Sequence, residues 1–224
     1  GSNPRDDVAS FLHEIRDVSR ESGILFGLDE VITGGRLGLG GGQEYYGVTA
    51  DVATFGKTLG GGFPIGVLGI NAALCETVAR SDQRGGVFMG GTFSGNPVST
   101  LAGQTVMTHM QETATDGYQK LDKWGTMVMR DLNDYCQDHG FPAHLIGVAS
   151  IFRVIFCADK IRSRHERDQK ELSMKEQESF YQFLLEAGVH VGTNRINFLS
   201  LGYDDKSVRR LIDSYKLAFE QFYS

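Results

Sequence analysis

The stretch Asp51-Val52-Ala53-Thr54-Phe55-Gly56-Lys57-Thr58-Leu59-Gly60-Gly61-Gly62-Phe63-Pro64-Ile65-Gly66 decides how this chain is read. It opens on a short apolar run, reaches a lysine, and continues into three glycines. Val52–Phe55 reads as a buried strand of the kind found in parallel sheets. A similar run, Ile24-Leu25-Phe26-Gly27-Leu28, lies upstream and closes on Asp29-Glu30, and a third follows at Ile65–Ile70. Further out, Val8, Phe11, Leu12, Ile15 and Val18 recur at helical spacing. They predict an amphipathic helix over 6–21, with Gly23 just past its end. Asn71 is placed to cap a helix over 72–80. Helix, strand, loop, strand, loop, strand, helix is the order of an α/β layer architecture.

Downstream, Pro97 to about His139 has a helical pattern, with Leu121, Trp124, Val128, Leu132 and Tyr135 in one apolar stripe. Leu145–Ala158 predicts one long or two short strands. The mixed-charge stretch Lys160–Glu171 predicts a solvated loop, since Glu166, Asp168 and Glu171 interleave with its basic residues. A helix is expected over 173–187 with Phe180, Phe183 and Leu184 inward. Short strands are expected at Val189–Val191 and Ile196–Leu199. Val208, Leu211, Ile212, Tyr215, Phe219 and Phe222 predict a closing helix capped near Asp204 or Asp205. The organisation is therefore a glycine-rich α/β segment over 3–110, then a linking helix and a smaller α+β segment over 111–224.

Composition narrows the function classes. The 224 residues carry 22 Lys and Arg against 28 Asp and Glu, a net charge of −6. That balance argues against a general nucleic-acid binder. No apolar run approaches the roughly 18 residues of a membrane span, and no charged-then-apolar leader opens the chain. Gly1-Ser2 reads as an expression-tag scar. Cys75, Cys136 and Cys157 are odd in number and widely spaced. They point to a reducing, cytoplasmic setting rather than a disulfide or zinc framework. Glycine is high at 29 against 4 prolines, clustered in Gly34–Gly42, Gly56–Gly66 and Gly85–Gly95. Apolar residues run through those clusters, so they read as packed loops where backbone turns tightly or approaches a ligand.

Gly56-Lys57-Thr58 after a strand invites a phosphate-loop reading. That motif needs a glycine five positions before Gly56, where Asp51 stands, and here the glycines follow the lysine. The other use of Lys57 is as an amine. A lysine at the end of a buried strand loses charge through desolvation, and a neutral amine forms a Schiff base with an aldehyde. Asp29 ends the first apolar strand, where open α/β sheets place their ligands. It reads as a cap, a structural partner, or the counter-charge of a protonated ring nitrogen. Opposite charges about 4 Å apart attract by roughly 4 kcal/mol at an effective dielectric near 20, enough to keep a pyridinium protonated. Lysine and aspartate so arranged form the constellation of a pyridoxal phosphate site. The six histidines are scattered, His13 on a helix and His139 and His144 at a turn. They read as structural or solvent-facing, and no metal-ligand cluster stands out.

Three motifs carry a resemblance. Leu28-Asp29-Glu30-Val31-Ile32-Thr33-Gly34 resembles the aspartate motif of the class III aminotransferases. The stretch Asp51–Gly66 resembles that family's lysine motif, and Gly90-Gly91-Thr92-Phe93-Ser94-Gly95-Asn96-Pro97 its third signature. Within the family the pattern is most similar to the glutamate-1-semialdehyde aminomutases and to aminotransferase domains of polyketide and nonribosomal peptide synthetases. The resemblance implies the C-terminal portion of a fold type I transferase: part of the large, mostly parallel-sheet domain plus the small α+β domain. It implies pyridoxal 5′-phosphate as cofactor, and transfer of an amino group from a small-molecule donor to a keto or aldehyde acceptor, or an intramolecular aminomutase reaction. Lys57 would form the internal aldimine and move the proton. Asp29 would pair with the pyridine nitrogen. Val31 would pack on the ring face, or simply fill the core. Thr92, with Gly91 and Gly95 allowing close backbone approach, would bind the cofactor phosphate of a neighbouring subunit, which implies a homodimer with shared sites. Asn96-Pro97 would open the next helix.

The same resemblance shows what this chain departs from. Family chains are about twice as long, and their first half carries a phosphate-binding loop and an aromatic residue that stacks on the ring. Here one helix precedes Asp29. Three explanations stand open: the chain is a fragment, its missing half is a separate segment or chain, or it is a truncated relative; membership of a larger synthetase, or a scaffold with an incomplete cofactor site, is compatible with them. A fragment would leave sheet edges and apolar helix faces uncovered, so tight dimerisation or swapping is expected of it. Family members often place a carboxylate-binding arginine soon after the glycine matching Gly188. Val191, Gly192 and Thr193 stand there, and Arg195 is the nearest cation. A decarboxylase or racemase on the same scaffold would use the same lysine and aspartate.

Overall fold

The computed structural model describes residues 4–79 and 90–224. Gly1-Ser2, Arg80 at the end of the expected second helix, and Gly85-Gly86 of the third glycine cluster lie outside the described residues. The chain divides into two compact units, Gly1–Thr115 and Asp116–Ser224.

The first unit runs α1 (Pro4–Glu21), β1 (Gly27–Asp29), α2 (Gly41–Tyr46), β2 (Val52–Gly56), a 3-10 turn (Lys57–Gly60), β3 (Gly66–Ile70) and α3 (Ala72–Ala79). It ends within α4 (Pro97–Asp138). Its sheet has the order β1-β2-β3, with β1 parallel and β3 antiparallel to β2. The expected first strand is shorter than its apolar run. Phe26 turns into a small cluster with Val48 and Ala50, and Asp51 ties it down. Asp51 N–H donates to Phe26 O at 2.8 Å, and Phe26 N–H donates to Asp51 Oδ2 at 2.9 Å. Ile24 and Leu25, before that clamp, are exposed. The helix over α1 forms as its periodicity predicts, yet most of its stripe faces outward. Phe11 and Val18 are about three-fifths exposed, at 59% and 62%, and Leu12 alone of the five packs against the Phe26 cluster.

Asn71 caps α3 as expected, accepting from Leu74 N–H at 2.8 Å. Its own amide donates to Asp51 Oδ1 at 2.7 Å. The glycine cluster Gly34–Gly42 has a specific cause, the buried carboxylate of Glu30. It accepts from Gly42 N–H and Gln43 N–H, both at 2.8 Å, and from the Thr33 hydroxyl. Gly41 has φ +69, and a Cβ there would sit 2.7 Å from Glu30 Oε2 and 2.9 Å from Gly34 Cα. Only glycine lets the backbone close around this carboxylate.

The second unit contains the rest of α4, β4 (His144–Val148), β5 (Ile151–Ile155), α5 (Arg164–Lys170), α6 (Glu178–Glu186), β6 (Asn197–Phe198) and α7 (Asp205–Tyr223). The sheet is antiparallel in the order β4-β5-β6. Trp124, Val128, Leu132, Phe152, Phe180, Leu184, Tyr215 and Phe219 form its buried core. Phe180 packs 4.8 Å from Phe219 and 5.0 Å edge-on to Phe156. The buried indole is matched: Trp124 Nε1–H donates to Asp205 Oδ1 at 2.7 Å. Asp204 caps α7 by accepting from Ser207 N–H at 2.7 Å.

Five expectations change here. Lys160–Glu171 is not all loop, because Ser163 caps the N-terminus of α5 and Glu166 folds back onto the residue before that cap. Glu166 N–H donates to Ser163 Oγ at 3.2 Å, and Arg162 N–H donates to Glu166 Oε2 at 2.8 Å. The next helix begins at Glu178 rather than at 173, after a turn in which Ser173 N–H donates to Glu176 Oε2 at 2.8 Å. Val189–Val191 forms no strand, and the last strand shrinks to Asn197–Phe198. In the α4 stripe Cys136 takes the buried position and Tyr135 is only half-buried. The Tyr135 hydroxyl reaches Glu220 instead.

Two predictions follow from the packing. Gly125 lies mid-helix, where Ala149 O would be 1.7 Å from an added Cβ. Gly125→Ala should therefore destabilise the protein by about 1–3 kcal/mol, although alanine is the better helix former by about 1 kcal/mol. Urea unfolding reads this directly, and a raised midpoint would contradict the close approach of the β4–β5 turn. Glu30→Ala leaves two backbone donors without their acceptor, at about 1–3 kcal/mol each. Faster hydrogen exchange at the Gly42 and Gln43 amides is the expected signature.

Candidate functional site

Parallel pairing sets Gly27 opposite Val52, Leu28 opposite Ala53, and Asp29 opposite Thr54. Both strands then end together. Asp29 closes β1, and Lys57 follows β2 at once, as the first residue of the 3-10 turn. The carboxylate of Asp29 is pinned through one oxygen. Its Oδ1 accepts from Val31 N–H and from the Thr54 hydroxyl, each at 3.0 Å. Those two donors, and after them the Lys57 charge, hold the Asp29 carboxyl below the usual aspartate range. Among the described residues Oδ2 has no hydrogen-bond partner.

Lys57 departs from its expected environment. The sequence placed it in a desolvated strand end, whereas its side chain is exposed and, among the described residues, makes no hydrogen bond or ion pair. Lys57 leaves a strand through a tight turn, which brings backbone but little side-chain bulk around it. The turn imposes φ +46 on Lys57, a left-handed conformation costing a side chain of this kind about 1–2 kcal/mol. Strain of this type collects where a side chain must be aimed. The neighbouring Thr58 hydroxyl accepts from Arg36 Nη2 at 3.3 Å. Val31 is half-buried, and its Cγ1 lies 3.8 Å from where a Cβ on Gly56 would be.

The structure thus brings together Asp29, Val31 and Lys57. Gly91 and Thr92 line a different cleft, of about 750 Å³, with Gly66, Val67 and Asn96; its lining contains neither Asp29 nor Lys57. Asn96 caps α4 by accepting from Val98 and Ser99 N–H, both at 3.1 Å. Pro97 is the first helical residue, as its missing N–H favours. Gly95 has φ +70 and closes the turn before the cap. Arg195 is held within the second unit. Its guanidinium lies 3.9 Å over the Tyr181 ring, and Nη2 reaches Met174 O at 3.5 Å. Burial pushes the Tyr181 phenol up to about 12, so the ring under the cation is neutral.

Thr54 is the site residue that sequence reasoning did not single out. Its signal was available: it stands three residues before Lys57, on the strand that a parallel sheet would lay beside Asp29. Glu30 was also read only as a strand boundary, although Glu30 and the glycines at 34 and 40–42 belong to one packed loop. Among the described residues, no group of three or more His, Cys, Asp or Glu gathers as a metal site. No described helix is long and apolar enough to cross a membrane.

Comparison with known proteins places these features. Residues 4–209 match the family model for class III aminotransferases. The glutamate-1-semialdehyde 2,1-aminomutase of Methanosarcina acetivorans is 33% identical over 210 residues, covering 93% of this chain and 48% of that protein. The enzyme of the same name from Methanococcus vannielii is 35% identical over 220 residues, with 97% and 49% covered. Among solved structures, an omega-transaminase from Sphaerobacter thermophilus superposes with a TM-score of 0.83 at 26% identity, over 96% of this chain and 48% of that one. A glutamate-1-semialdehyde aminomutase from Pseudomonas aeruginosa shares the fold, with a TM-score of 0.80 at 18% identity, over 95% and 48%. The chain therefore spans about half the length of the curated relatives it matches, and has the fold of the corresponding portion of these fold type I transferases. With its aspartate and lysine motifs at the ends of paired parallel strands, this chain belongs to the class III aminotransferase family.

Proposed function

We propose that this chain is the lysine-bearing portion of a pyridoxal 5′-phosphate-dependent aminotransferase, in which an amino donor passes its amino group to a keto or aldehyde acceptor. The observation that carries the reading is the pinned Asp29 carboxylate, with Oδ2 left over, at the same strand ends as an unpartnered Lys57. An ionised carboxylate oxygen is the acceptor that a protonated pyridine nitrogen needs, and a free amine is what an aldehyde needs. On that test the residues present fit the cofactor. In this reading residues 3–110 belong to a large cofactor-binding domain, and 111–224 are a linking helix and a small domain.

When bound, pyridoxal 5′-phosphate supplies an electron-poor ring that takes up the charge left as the donor carbon loses its proton. The chain's own residues do the rest. Asp29 Oδ2 would accept the hydrogen bond of the ring N–H, with the carboxylate kept oriented by Thr54 and the Val31 amide. The Val31 side chain would pack against the ring. Lys57 Nζ would take the proton from the amino-bearing carbon of the donor and, in the second half of the exchange, deliver one to the former carbonyl carbon of the acceptor, helped by proximity rather than by basicity alone. Thr92 and the Gly91 backbone hold a phosphate brought by a second protomer, so the active unit is a homodimer. The exposed Val98, Leu101 and Met107 on α4 support a covered face there. The free cysteines, with Cys136 buried, support a reducing, cytoplasmic setting.

A second reading is the intramolecular counterpart, an aminomutase that moves an amino group within one substrate. The 33–35% identity to proteins named as glutamate-1-semialdehyde aminomutases favours it. It uses the same Lys57 and Asp29.

Borohydride reduction of the full polypeptide with cofactor, followed by peptide mapping, is the direct test. The label should sit on Lys57, and Lys57→Ala should take none; equal labelling of that variant overturns the assignment. Asp29→Asn should keep cofactor binding and lose about a hundredfold or more in turnover, as expected when a charge aimed at the transition state is removed. A depressed carboxyl stays charged at every pH above its own lowered value. The acid limb of the rate profile should therefore not report Asp29, and Thr54→Val should move the Asp29 titration upward in carbon-detected NMR.

A further inference from the structure

Both groups that pin Asp29 are themselves tied to its neighbour Glu30. The Val31 N–H belongs to the Glu30–Val31 peptide, and the carbonyl of that peptide, Glu30 O, accepts from Gly34 N–H at 2.8 Å. Thr54, whose hydroxyl supplies the other bond, has its carbonyl held by Glu30 N–H at 2.8 Å. The Glu30 side chain is 2% exposed, while Asp29 beside it is open to solvent. Its Oε2 accepts from Gly42 N–H at 2.8 Å and from the Thr33 hydroxyl, and its Oε1 accepts from Gln43 N–H at 2.8 Å. Gln43 Oε1 accepts in turn from Ala50 N–H at 2.9 Å, two residues before β2 begins. One buried carboxylate thus joins the 30–34 turn to α2 and to the approach of the strand that carries Thr54.

Burying a carboxylate is unfavourable unless its oxygens are met, and a surface loop can close on a hydroxyl or an amide instead. What the carboxylate adds is two acceptor oxygens in one plane, able to hold two backbone amides and a hydroxyl at once. Gly40, ahead of α2, has no side chain to cap it, so loss of the Glu30 carboxylate would free α2 and the turn together. The amide donor of Asp29 lies on that turn, one peptide from Glu30, and a rotation of this peptide would take Val31 N–H away from Oδ1. We propose that Glu30 is a positioning residue for amino transfer: its carboxylate holds the 30–34 turn so that Val31 N–H and the Thr54 hydroxyl keep Asp29 Oδ2 aimed at the cofactor ring. This inference rests on the aminotransferase reading of Asp29 and extends it to the buried residue one position on.

The Asp29 titration, followed by carbon-detected NMR in the full chain without cofactor, is the test. Glu30→Gln keeps the shape and one acceptor but sets an amide N–H against a backbone N–H. The Asp29 titration should then move upward, because the Val31 hydrogen bond is the largest cause of its depression. Lys57 is the charged group that bears on Asp29, and charge alone predicts the opposite sign, since removing a neighbouring carboxylate lowers the titration. Asp204, depressed by its Ser207 bonds in the second unit, should not move. Glu44→Gln should also leave Asp29 in place, since Glu44 accepts from Gly40 N–H at 2.7 Å in the same glycine loop without bonding to the 30–34 turn. With cofactor, Glu30→Gln should lose about tenfold in turnover, the order of one hydrogen bond to a charge, and Glu30→Ala should lose more. If Glu30→Gln does not fold, Thr33→Val is read in its place and should shift Asp29 in the same direction. An unmoved or lowered Asp29, or an equal rise in Glu44→Gln, would overturn the positioning role. Borohydride labelling judges the underlying reading separately. A labelled Lys57 with an unmoved Asp29 rejects Glu30 alone, and a raised Asp29 with an unlabelled Lys57 rejects the aminotransferase reading and with it the catalytic meaning of the contact.

Discussion

Parallel pairing of three residues, Gly27-Leu28-Asp29 with Val52-Ala53-Thr54, is the constraint on which the candidate site rests. It puts the Asp29 carboxylate against the Thr54 hydroxyl, and it makes both strands end on the same edge of the sheet. Lys57 then follows without a spacer. Slip the register by one residue and Ala53 replaces Thr54 opposite Asp29, while the strand faces exchange. The carboxylate would lose a donor, and the lysine would leave from the wrong side. Local order in the first unit serves this edge: Asp51 fixes where β1 begins, and Glu30 closes the glycine loop just after it ends.

The two units are stabilised in different ways. The second has a continuous aromatic and aliphatic core with its buried indole and one phenol hydrogen-bonded. The first relies on carboxylates that gather backbone amides, with only a small apolar cluster of Phe26, Val48 and Ala50. It also keeps much apolar surface outward, on α1 and at Ile24-Leu25. Exposed apolar area of this kind is uncommon on a monomeric domain, and the chain spans about half of its relatives' length. A pinned, charged Asp29 is compatible with that exposure, because water solvates an ionised carboxylate while Val31 N–H and the Thr54 hydroxyl orient it.

Much of the architecture was legible because it is written in short-range chemistry. Strand-sized apolar runs ending in Asp29 and Gly56, the Asn96-Pro97 helix start, the α4 stripe and the Asp204 cap each follow from one or two residues. The α5 helix was equally local, since Ser163 caps it and Glu166 stands three residues on, but the charge pattern around it outweighed that signal. The missing strand at Val189–Val191 had no such local cue. A two-residue β6 takes up the edge of β5, and the residues at 189–191 pack beside the core without a ladder of their own.

Sequence by itself determined the family, the main helices and strands and the residue types at the strand ends, because motif spacing and apolar periodicity survive without coordinates. Tertiary structure alone decided that Thr54 is the partner of Asp29, that Lys57 is exposed rather than desolvated, and that Arg195 stacks on Tyr181. Each of these depends on which side chains meet across residues distant in the chain. Register and burial set those meetings, and no single residue encodes either one.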